Sequence, residues 1–273
     1  AGRHGHALAF ATLHIALLHH AREFRLQVRD AVAHDPPVLL ELGGKDPMVV
    51  CADADVDRAA KGAVWGAFQN SGQTCIAANR ILVQESIHEK FVAALCARAQ
   101  QIQVGHGLEQ ATQMGPLIDE RGLEKVERLV ADATDKGAKV QVGGERHEAG
   151  GTYFQPTVMT DVSTDMDLAH EELFGPVAAI STFSEEQDAI SMANDTPYGL
   201  AGYFYSRDVG RIFRVADALD VGIVGVNTGL ISTEVAPFGG VKESGIGREG
   251  SKYGIDDWTE LKYICLAGLG AVA

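Results

Sequence analysis

The residue of this chain best suited to covalent chemistry is Cys75, which ends the run Asn-Ser-Gly-Gln-Thr-Cys at 70–75. Its small and polar neighbours allow a backbone turn to bring the thiol into a cleft. Donated N–H groups or a helix N-terminus would then supply the thiolate character that a nucleophilic cysteine needs. Lone cysteines are more commonly buried and inert. The local sequence is therefore compatible with both a catalytic and a structural Cys75.

A second candidate is Glu41, which lies between two leucines and directly before Gly43 and Gly44. A carboxylate among apolar residues at a strand end is unfavourable unless it has a partner or a task. Such a glutamate could turn into a cleft and act as a general base. The simpler alternative is a solvated strand end. A general base in reach of a thiol favours an enzyme that attacks its substrate covalently through Cys75.

Strands and helices alternate from residue 38 onward, and these elements must position both candidates. Short apolar runs predict buried strands, and apolar residues at helical spacing predict helices. The alternation predicts an α/β fold with a mostly parallel, doubly wound sheet covered by helices on both faces. The predicted strands are 38–40, 48–50, 81–83, 140–142, 177–183, 201–205, 223–226 and 258–266, and the predicted helices are 55–68, 87–102, 120–136, 185–194 and 209–219.

Composition narrows the class of protein further. The chain has 273 residues, 46% hydrophobic and 22% charged, which predicts an ordinary packed core. A net charge of −14 argues against a nucleic-acid partner. No run of about 18 apolar residues occurs, so no membrane span is predicted. The four cysteines form no C-x-x-C pair, which argues against a zinc site or a disulfide framework and predicts a cytoplasmic protein without a metal.

Residues 1–37 differ in composition from the rest of the chain. Six of the ten histidines precede residue 35, and Pro36 and Pro37 block the continuation of a helix. We therefore predict three regions: an atypical helical leader at 1–37, a catalytic domain at 38–250 and a C-terminal arm at 251–273. A signal peptide and a histidine metal site are the less favoured interpretations of the leader.

From about Leu39 to Leu266 the sequence resembles the aldehyde dehydrogenase superfamily. Leu-Glu-Leu-Gly-Gly at 40–44 matches its general-base motif, and Gly-Gln-Thr-Cys at 72–75 matches its nucleophile motif. Glu-Glu-Leu-Phe-Gly-Pro at 171–176 matches the segment that contacts the nicotinamide, and Asn227 with Pro-Phe-Gly-Gly at 237–240 matches the loop at the substrate mouth.

The resemblance implies a role for each of these motifs. NAD or NADP is the implied cofactor, with Glu172 on the nicotinamide ribose, Phe174 beside the ring and Gly43 in the same site. The Cys75 thiolate would attack an aldehyde, and a thioester would follow loss of hydride. Glu41 would then activate water to release a carboxylic acid. The backbone N–H of Cys75 is a candidate donor to the oxyanion.

The substrate is indicated by segments 229–232 and 247–255, which are similar to succinate-semialdehyde dehydrogenases. That subgroup carries an arginine six positions before the nucleophile, where this chain has Gln69. A neutral amide should weaken the hold on a distal carboxylate. Ser232 and Thr233 could add hydroxyls, and Phe238 is a further candidate substrate contact. Ala77 replaces the subgroup's second cysteine, so a disulfide to Cys75 is impossible there.

Members of the family carry a cofactor domain before the general-base strand, and 1–37 show none of its motifs. Two interpretations remain open. The sequence belongs to a longer NAD(P)-dependent semialdehyde dehydrogenase, or it is a remnant without cofactor binding that serves as a structural or binding protein or a weak thiol esterase. The presence of both Cys75 and Glu41 favours retained chemistry. The resemblance also implies a homodimer or homotetramer paired through strand 258–266.

Overall fold

The structure, a computed structural model, describes residues 39–267. The helices in this part are α1 (Val56–Phe68), α2 (His88–Ala99), α3 (Glu120–Asp135), α4 (Asp167–His170), α5 (Glu186–Asn194) and α6 (Val209–Ala218). The strands are β1 (Leu40–Glu41), β2 (Asp46–Val50), β3 (Ala78–Gln84), β4 (Lys139–Val142), β5 (Thr157–Thr160), β6 (Val177–Phe183), β7 (Tyr198–Gly199), β8 (Ala201–Tyr205), β9 (Ile223–Val226), β10 (Val241–Lys242) and β11 (Gly245–Ile246).

A seven-stranded sheet forms the centre, in the order β4-β5-β6-β3-β2-β8-β9. Each neighbouring pair is parallel except β4 and β5, which are antiparallel. Every residue of β2, β5 and β8 is buried, as expected for parallel strands covered on both faces. The predicted α/β class with a mostly parallel sheet is therefore confirmed.

Helix α1 runs from the carboxyl ends of the parallel strands back to their amino ends, where the segment around Cys75 follows. It begins where the Asp55 side chain accepts a hydrogen bond from the Arg58 N–H, which satisfies one of the free amides of the first turn. Small buried residues on one face allow close packing on the sheet, and the helix ends at Phe68, with Gln69 as its C-cap.

The predicted set of strands needs correction at three places. In place of the strand predicted at 38–40, the structure has the two-residue strand β1, which pairs antiparallel with β11 outside the main sheet. Residue Gly43 has a φ of 86°, so the chain turns between β1 and β2. Strand β5 was not predicted, because Thr157–Thr160 lacks both a long apolar run and an alternation.

The third correction concerns 258–266. A short 3₁₀ turn at Asp256–Trp258 is followed by residues without a strand assignment up to 267, because the described part of one chain offers them no partner strand. Pairing with a second subunit stays a prediction. The leader predicted at 1–37 lies outside the described residues. Between 39 and 267, no helix combines the length and apolar character needed to cross a membrane.

Candidate active site

The candidate residues lie together at the amino edge of the sheet, where the parallel strands begin. Cys75 lies just before β3, Glu172 and Phe174 precede β6, and Gly43 precedes β2. Strands β2, β3 and β6 are neighbours in the sheet, so the segments that enter them lie side by side. Ligands of open parallel sheets usually bind at the opposite, carboxyl edge, and the sequence did not predict this placement.

An unusual turn presents Cys75. Three successive residues, Asn70, Ser71 and Gly72, have positive φ angles of 51°, 59° and 69°. Left-handed backbone is uncommon for residues other than glycine and is sustained only where the surroundings fix it. At Gly72 a Cβ atom would lie 2.1 Å from the carbonyl oxygen of Gly175, so a side chain is excluded there.

Hydrogen bonds from the turn to segment 115–118 supply that support. The Ser71 hydroxyl donates to the Gly115 carbonyl at 2.7 Å. The Gln73 side chain accepts from the Ile118 N–H at 2.8 Å and donates to the Pro116 carbonyl at 3.3 Å. The polar residues of the nucleophile motif therefore hold the backbone, and the thiol of Cys75 is left for other contacts.

Cys75 is surrounded by acidic groups. Burial raises the pKa of its thiol to about 11, and the negative charges of Asp46, Glu172 and Glu41 act in the same direction, whereas its own backbone N–H opposes them. A thiol in this environment is largely protonated at neutral pH. Burial therefore has the largest effect on thiolate formation, and the protonation state of the surrounding carboxyl groups adds to it.

Glu41 has the properties of a proton acceptor at neutral pH. Its Oε1 atom is buried without a hydrogen-bond partner and lies 2.8 Å from where a Cβ on Gly239 would be. Burial raises the pKa of the carboxyl to about 7, with Glu249 adding to the rise and Arg248 opposing it. A carboxylate whose pKa lies near the working pH suits general base catalysis.

Glu172 is held by backbone on the other side of the site. Its Oε1 atom accepts a hydrogen bond from the Gly44 N–H at 3.1 Å, and a Cβ on Gly43 would lie 2.5 Å from the same oxygen. Burial raises the pKa of Glu172, while the Gly44 N–H and the ammonium groups of Lys125 and Lys45 lower it. The motif at 40–44 thus positions a second carboxylate as well as Glu41.

A cavity of about 460 Å³ opens at Cys75. Among the predicted substrate residues, Gln69, Ser232 and Phe238 line it, together with Phe174, whereas Thr233 does not. Glu41 also lies outside the lining. The side chain of Asn227, predicted at the mouth, instead bonds both backbone groups of Ser206 at the far edge of the sheet.

Sequence reasoning missed two aromatic residues of this cavity, Trp65 and Tyr203. Trp65 is 44% exposed on the face of α1 opposite to the small buried residues, and a large aromatic residue on that face was the available signal. Tyr203 lies within the predicted strand 201–205, and no role in a cavity was predicted for it. Its hydroxyl donates to the Ile76 carbonyl at 2.7 Å, one residue after the candidate nucleophile.

Known proteins are similar to this chain over most of its length. The model of the aldehyde dehydrogenase family matches residues 25–264. The chain is 56% identical over 232 residues to mitochondrial succinate-semialdehyde dehydrogenase of Oryza sativa subsp. japonica, covering 85% of this chain and 44% of that protein. It is 51% identical over 245 residues to the NADP(+) succinate-semialdehyde dehydrogenase GabD of Escherichia coli (strain K12), covering 89% and 51%.

Solved structures agree as well. Succinate-semialdehyde dehydrogenase from Burkholderia pseudomallei superposes with a TM-score of 0.87 at 49% identity, covering 91% of this chain and 52% of that one. Betaine aldehyde dehydrogenase from Staphylococcus aureus in complex with NAD+ gives 0.82 at 40% identity, covering 87% and 48%. The chain spans about half the length of the curated relatives it matches. The family match begins at residue 25, so the resemblance extends further into 1–37 than predicted.

Proposed function

Because the chain belongs to the aldehyde dehydrogenase family, we propose that it oxidises a short semialdehyde, succinate semialdehyde or a close analogue, to the carboxylic acid with NAD or NADP. One observation carries the proposal: Cys75 opens into a cavity, and a carboxyl group with a pKa of about 7, that of Glu41, acts on it electrostatically. A nucleophile and a base of this kind are what acyl transfer through a thioester requires.

The residues around the cavity fit a nicotinamide nucleotide. The Gly44 N–H fixes one oxygen of Glu172, and the other has no hydrogen bond to any described residue, so it is available to a ribose hydroxyl. Phe174, 39% exposed with a φ of 50°, offers its ring on the cavity wall beside Cys75. When bound there, the nicotinamide would accept the hydride that the substrate carbon loses.

The chain's own groups account for the remaining steps. The Cys75 thiol first loses its proton to solvent; the thiolate then attacks the aldehyde carbon and forms a C–S bond, and the carbonyl oxygen becomes an oxyanion near the Cys75 N–H. Loss of hydride from that carbon leaves a thioester. Glu41 takes a proton from water, the hydroxide attacks the thioester carbon, and the C–S bond breaks. The products are the carboxylic acid and the Cys75 thiolate.

The test follows nicotinamide reduction by absorbance with the purified protein, succinate semialdehyde, and NAD or NADP in separate reactions. Cys75→Ala should abolish the signal, and Cys96→Ala on α2 is the matched control that should retain it. Hydrolysis of p-nitrophenyl acetate reports the covalent chemistry of the thiol without a nucleotide. Ester hydrolysis that depends on Cys75, without nucleotide reduction by either cofactor, would contradict the dehydrogenase and identify a thiol esterase.

We further propose a homodimer or homotetramer in the cytoplasm. Apolar side chains crowd the exposed segment after the 3₁₀ turn at 256–258, including Leu261, Tyr263 and Leu266. Such a segment supports pairing with another subunit. All four cysteines are free, as a reducing compartment requires. A monomeric elution profile at micromolar concentration would contradict the oligomer.

A further inference from the structure

Asp46, the first residue of β2, is a carboxyl group that the proposed mechanism does not use. Its side chain is 1% exposed. The Oδ1 atom accepts a hydrogen bond from the Ala201 N–H at 3.0 Å, whereas Oδ2 is buried without a partner. A buried carboxylate with an unsatisfied oxygen is strongly unfavourable, and protonation removes most of the penalty.

This carboxyl lies next to the backbone of the candidate nucleophile. A Cβ built on Gly44 would lie 2.6 Å from Asp46 Oδ1 and 3.0 Å from the Cys75 carbonyl oxygen, so both atoms border the same point. Asp46 also pairs in register with Ala78 at the start of β3, the strand that follows Cys75. The Asp46 carboxyl therefore packs against the backbone beneath the turn that carries Cys75.

The groups that act on Asp46 come from every surrounding element. Lys45 adjoins it in the chain, Arg80 lies on β3, Glu172 precedes β6, and Tyr203 on β8 and the Cys75 turn complete the set. Within residues 39–267, Lys45 makes no ion pair with Asp46. The Lys45 ammonium nitrogen is itself buried without a hydrogen-bond partner.

The directions of the pKa shifts agree with an uncharged pair. Burial raises the pKa of Asp46 well above its ordinary value, with Glu172 adding to the rise and the Ala201 N–H, Lys45 and Arg80 opposing it. Burial lowers the pKa of Lys45 to about 7, with Arg80 adding to the fall. A buried acid and a buried amine each reduce their desolvation penalty by being neutral.

We propose that Asp46 is held as an uncharged carboxylic acid beneath the Cys75 turn and acts as a positioning residue that keeps negative charge away from the forming thiolate. The protons of Asp46 and Cys75 are then coupled: loss of either one disfavours loss of the other. The inference rests on the proposed role of Cys75 as nucleophile, but not on the substrate or the cofactor.

The first test is the pH dependence of Cys75 alkylation by iodoacetamide, followed by mass spectrometry of the Cys75 peptide. Asp46→Asn keeps the shape and is neutral at every pH. Its midpoint should be lower than that of the wild type by about half a pH unit or more, because an ionised Asp46 opposes the thiolate at high pH, whereas the two rates should coincide near pH 7, where Asp46 is uncharged. Cys96 in the same samples is the internal reference, and Asp217→Asn, exposed on α6, is the control variant.

Coinciding alkylation profiles for the wild type and Asp46→Asn would overturn the coupling. A second test needs no variant to fold. In protein labelled with ¹³C at the aspartate carboxyls, one carbon signal should keep the chemical shift of a protonated acid at pH 7, because Asp46 is the aspartate within 39–267 whose pKa is raised. Carboxylate shifts for all aspartates at pH 7 would overturn the proposal. Neither measurement requires catalytic turnover, so both can be interpreted even if the dehydrogenase assay fails.

Discussion

Ionisable side chains lie at both the amino edge and the carboxyl edge of the central sheet, but the two groups differ in their hydrogen-bond and ion-pair partners. At the amino edge, three atoms of ionisable side chains are buried without a hydrogen bond: Glu41 Oε1, Lys45 Nζ and Asp46 Oδ2. At the carboxyl edge, Asp53, Arg211 and Glu186 form a connected ion-pair cluster, with nitrogen–oxygen distances of 2.7 and 2.8 Å. The first arrangement is electrostatically unfavourable for folding, and the second is favourable.

The carboxyl-edge cluster connects several elements through Asp53. This carboxylate accepts from the Ser206 hydroxyl at 2.8 Å and from the Arg207 and Asp208 N–H groups at 2.7 and 3.0 Å, besides its pair with Arg211. Burial acts to raise the pKa of Asp53, but these hydrogen bonds and Arg211 outweigh it, so the pKa lies below its ordinary value. The cluster fastens the end of β8 and the start of α6 to the segment after β2.

The contrast shows what a site for chemistry requires. Fully paired charges stabilise one protonation state and resist proton exchange. Half-buried or buried groups without partners have shifted pKa values and can exchange protons near neutral pH, which is why perturbed groups concentrate at functional sites. Four predictions, from the largest effect to the smallest, test whether the two edges divide function and stability in this way.

The largest effect is expected at the amino edge, from Glu41→Gln. Loss of the general base should lower the steady-state rate about 10²- to 10⁴-fold, while the first acylation of Cys75 proceeds. Burst kinetics with p-nitrophenyl acetate separate the two phases. The free energy of unfolding at pH 8 should not fall, since the amide removes a poorly solvated charge. Glu124→Gln, exposed on α3, is the matched control. An equal loss of burst and steady-state rate would contradict the assignment.

The second effect is expected at the carboxyl edge, from Asp53→Ala. Removal of this acceptor leaves several donors and Arg211 unsatisfied, so the free energy of unfolding should fall by roughly 2–3 kcal/mol. Urea titration measures this loss, and activity below the unfolding transition should remain. Asp217→Ala on α6 should change stability by less than about 0.5 kcal/mol. Loss of activity without loss of stability in Asp53→Ala would remove the division between the edges.

The third predicted effect is that stability depends on pH in opposite directions at the two edges. The pKa of Glu41 rises from 4.5 to about 7 on folding, so its contribution to stability falls as pH rises through that window. The pKa of Asp53 falls below 3.8 on folding, so its contribution is present above that value and is lost as pH falls below it. The free energy of unfolding should be measured at several pH values. It should change less with pH between about 4.5 and 7 in Glu41→Gln than in the wild type, and less with pH below about 3.8 in Asp53→Asn. Parallel curves for both variants would contradict the comparison.

Sequence patterns were sufficient where a local rule decides the structure. The strands at 177–183, 201–205 and 223–226 have the predicted bounds, because continuous apolar runs between turn residues admit little else. Helix α1 begins within one residue of its predicted start because the Asp55 side chain can satisfy a first-turn amide. The motif residues Cys75, Glu172 and Phe174 were placed at one site by resemblance, and the structure brings them to one edge of the sheet.

The remaining features depend on residues distant in the chain. Burial of Asp46 follows from the register of β2 with β3 and β8, which no local pattern encodes. Tyr203 was missed because the pattern of a strand does not reveal which of its side chains reaches a cavity. Strand 258–266 was predicted from a loose alternation of residues, and a strand forms only where a partner edge exists.

The smallest expected effect comes from adding a charge to the amino edge by Gln69→Arg. Gln69 is exposed, lines the cavity, and is the C-cap of α1, where the helix dipole favours a cation. An arginine there should form an ion pair with the distal carboxylate of succinate semialdehyde. One exposed ion pair contributes about 1 kcal/mol, so the ratio of kcat/KM for succinate semialdehyde to kcat/KM for butanal should rise about fivefold. Gln101→Arg, exposed beyond α2, is the matched control and should leave the ratio unchanged. Because butanal has the same carbon chain without the carboxylate, a change shared by both aldehydes would mean that Gln69 does not face the distal end of the substrate. A change confined to succinate semialdehyde would mean that the amino edge accepts a new paired charge without losing the unpaired groups on which its chemistry depends.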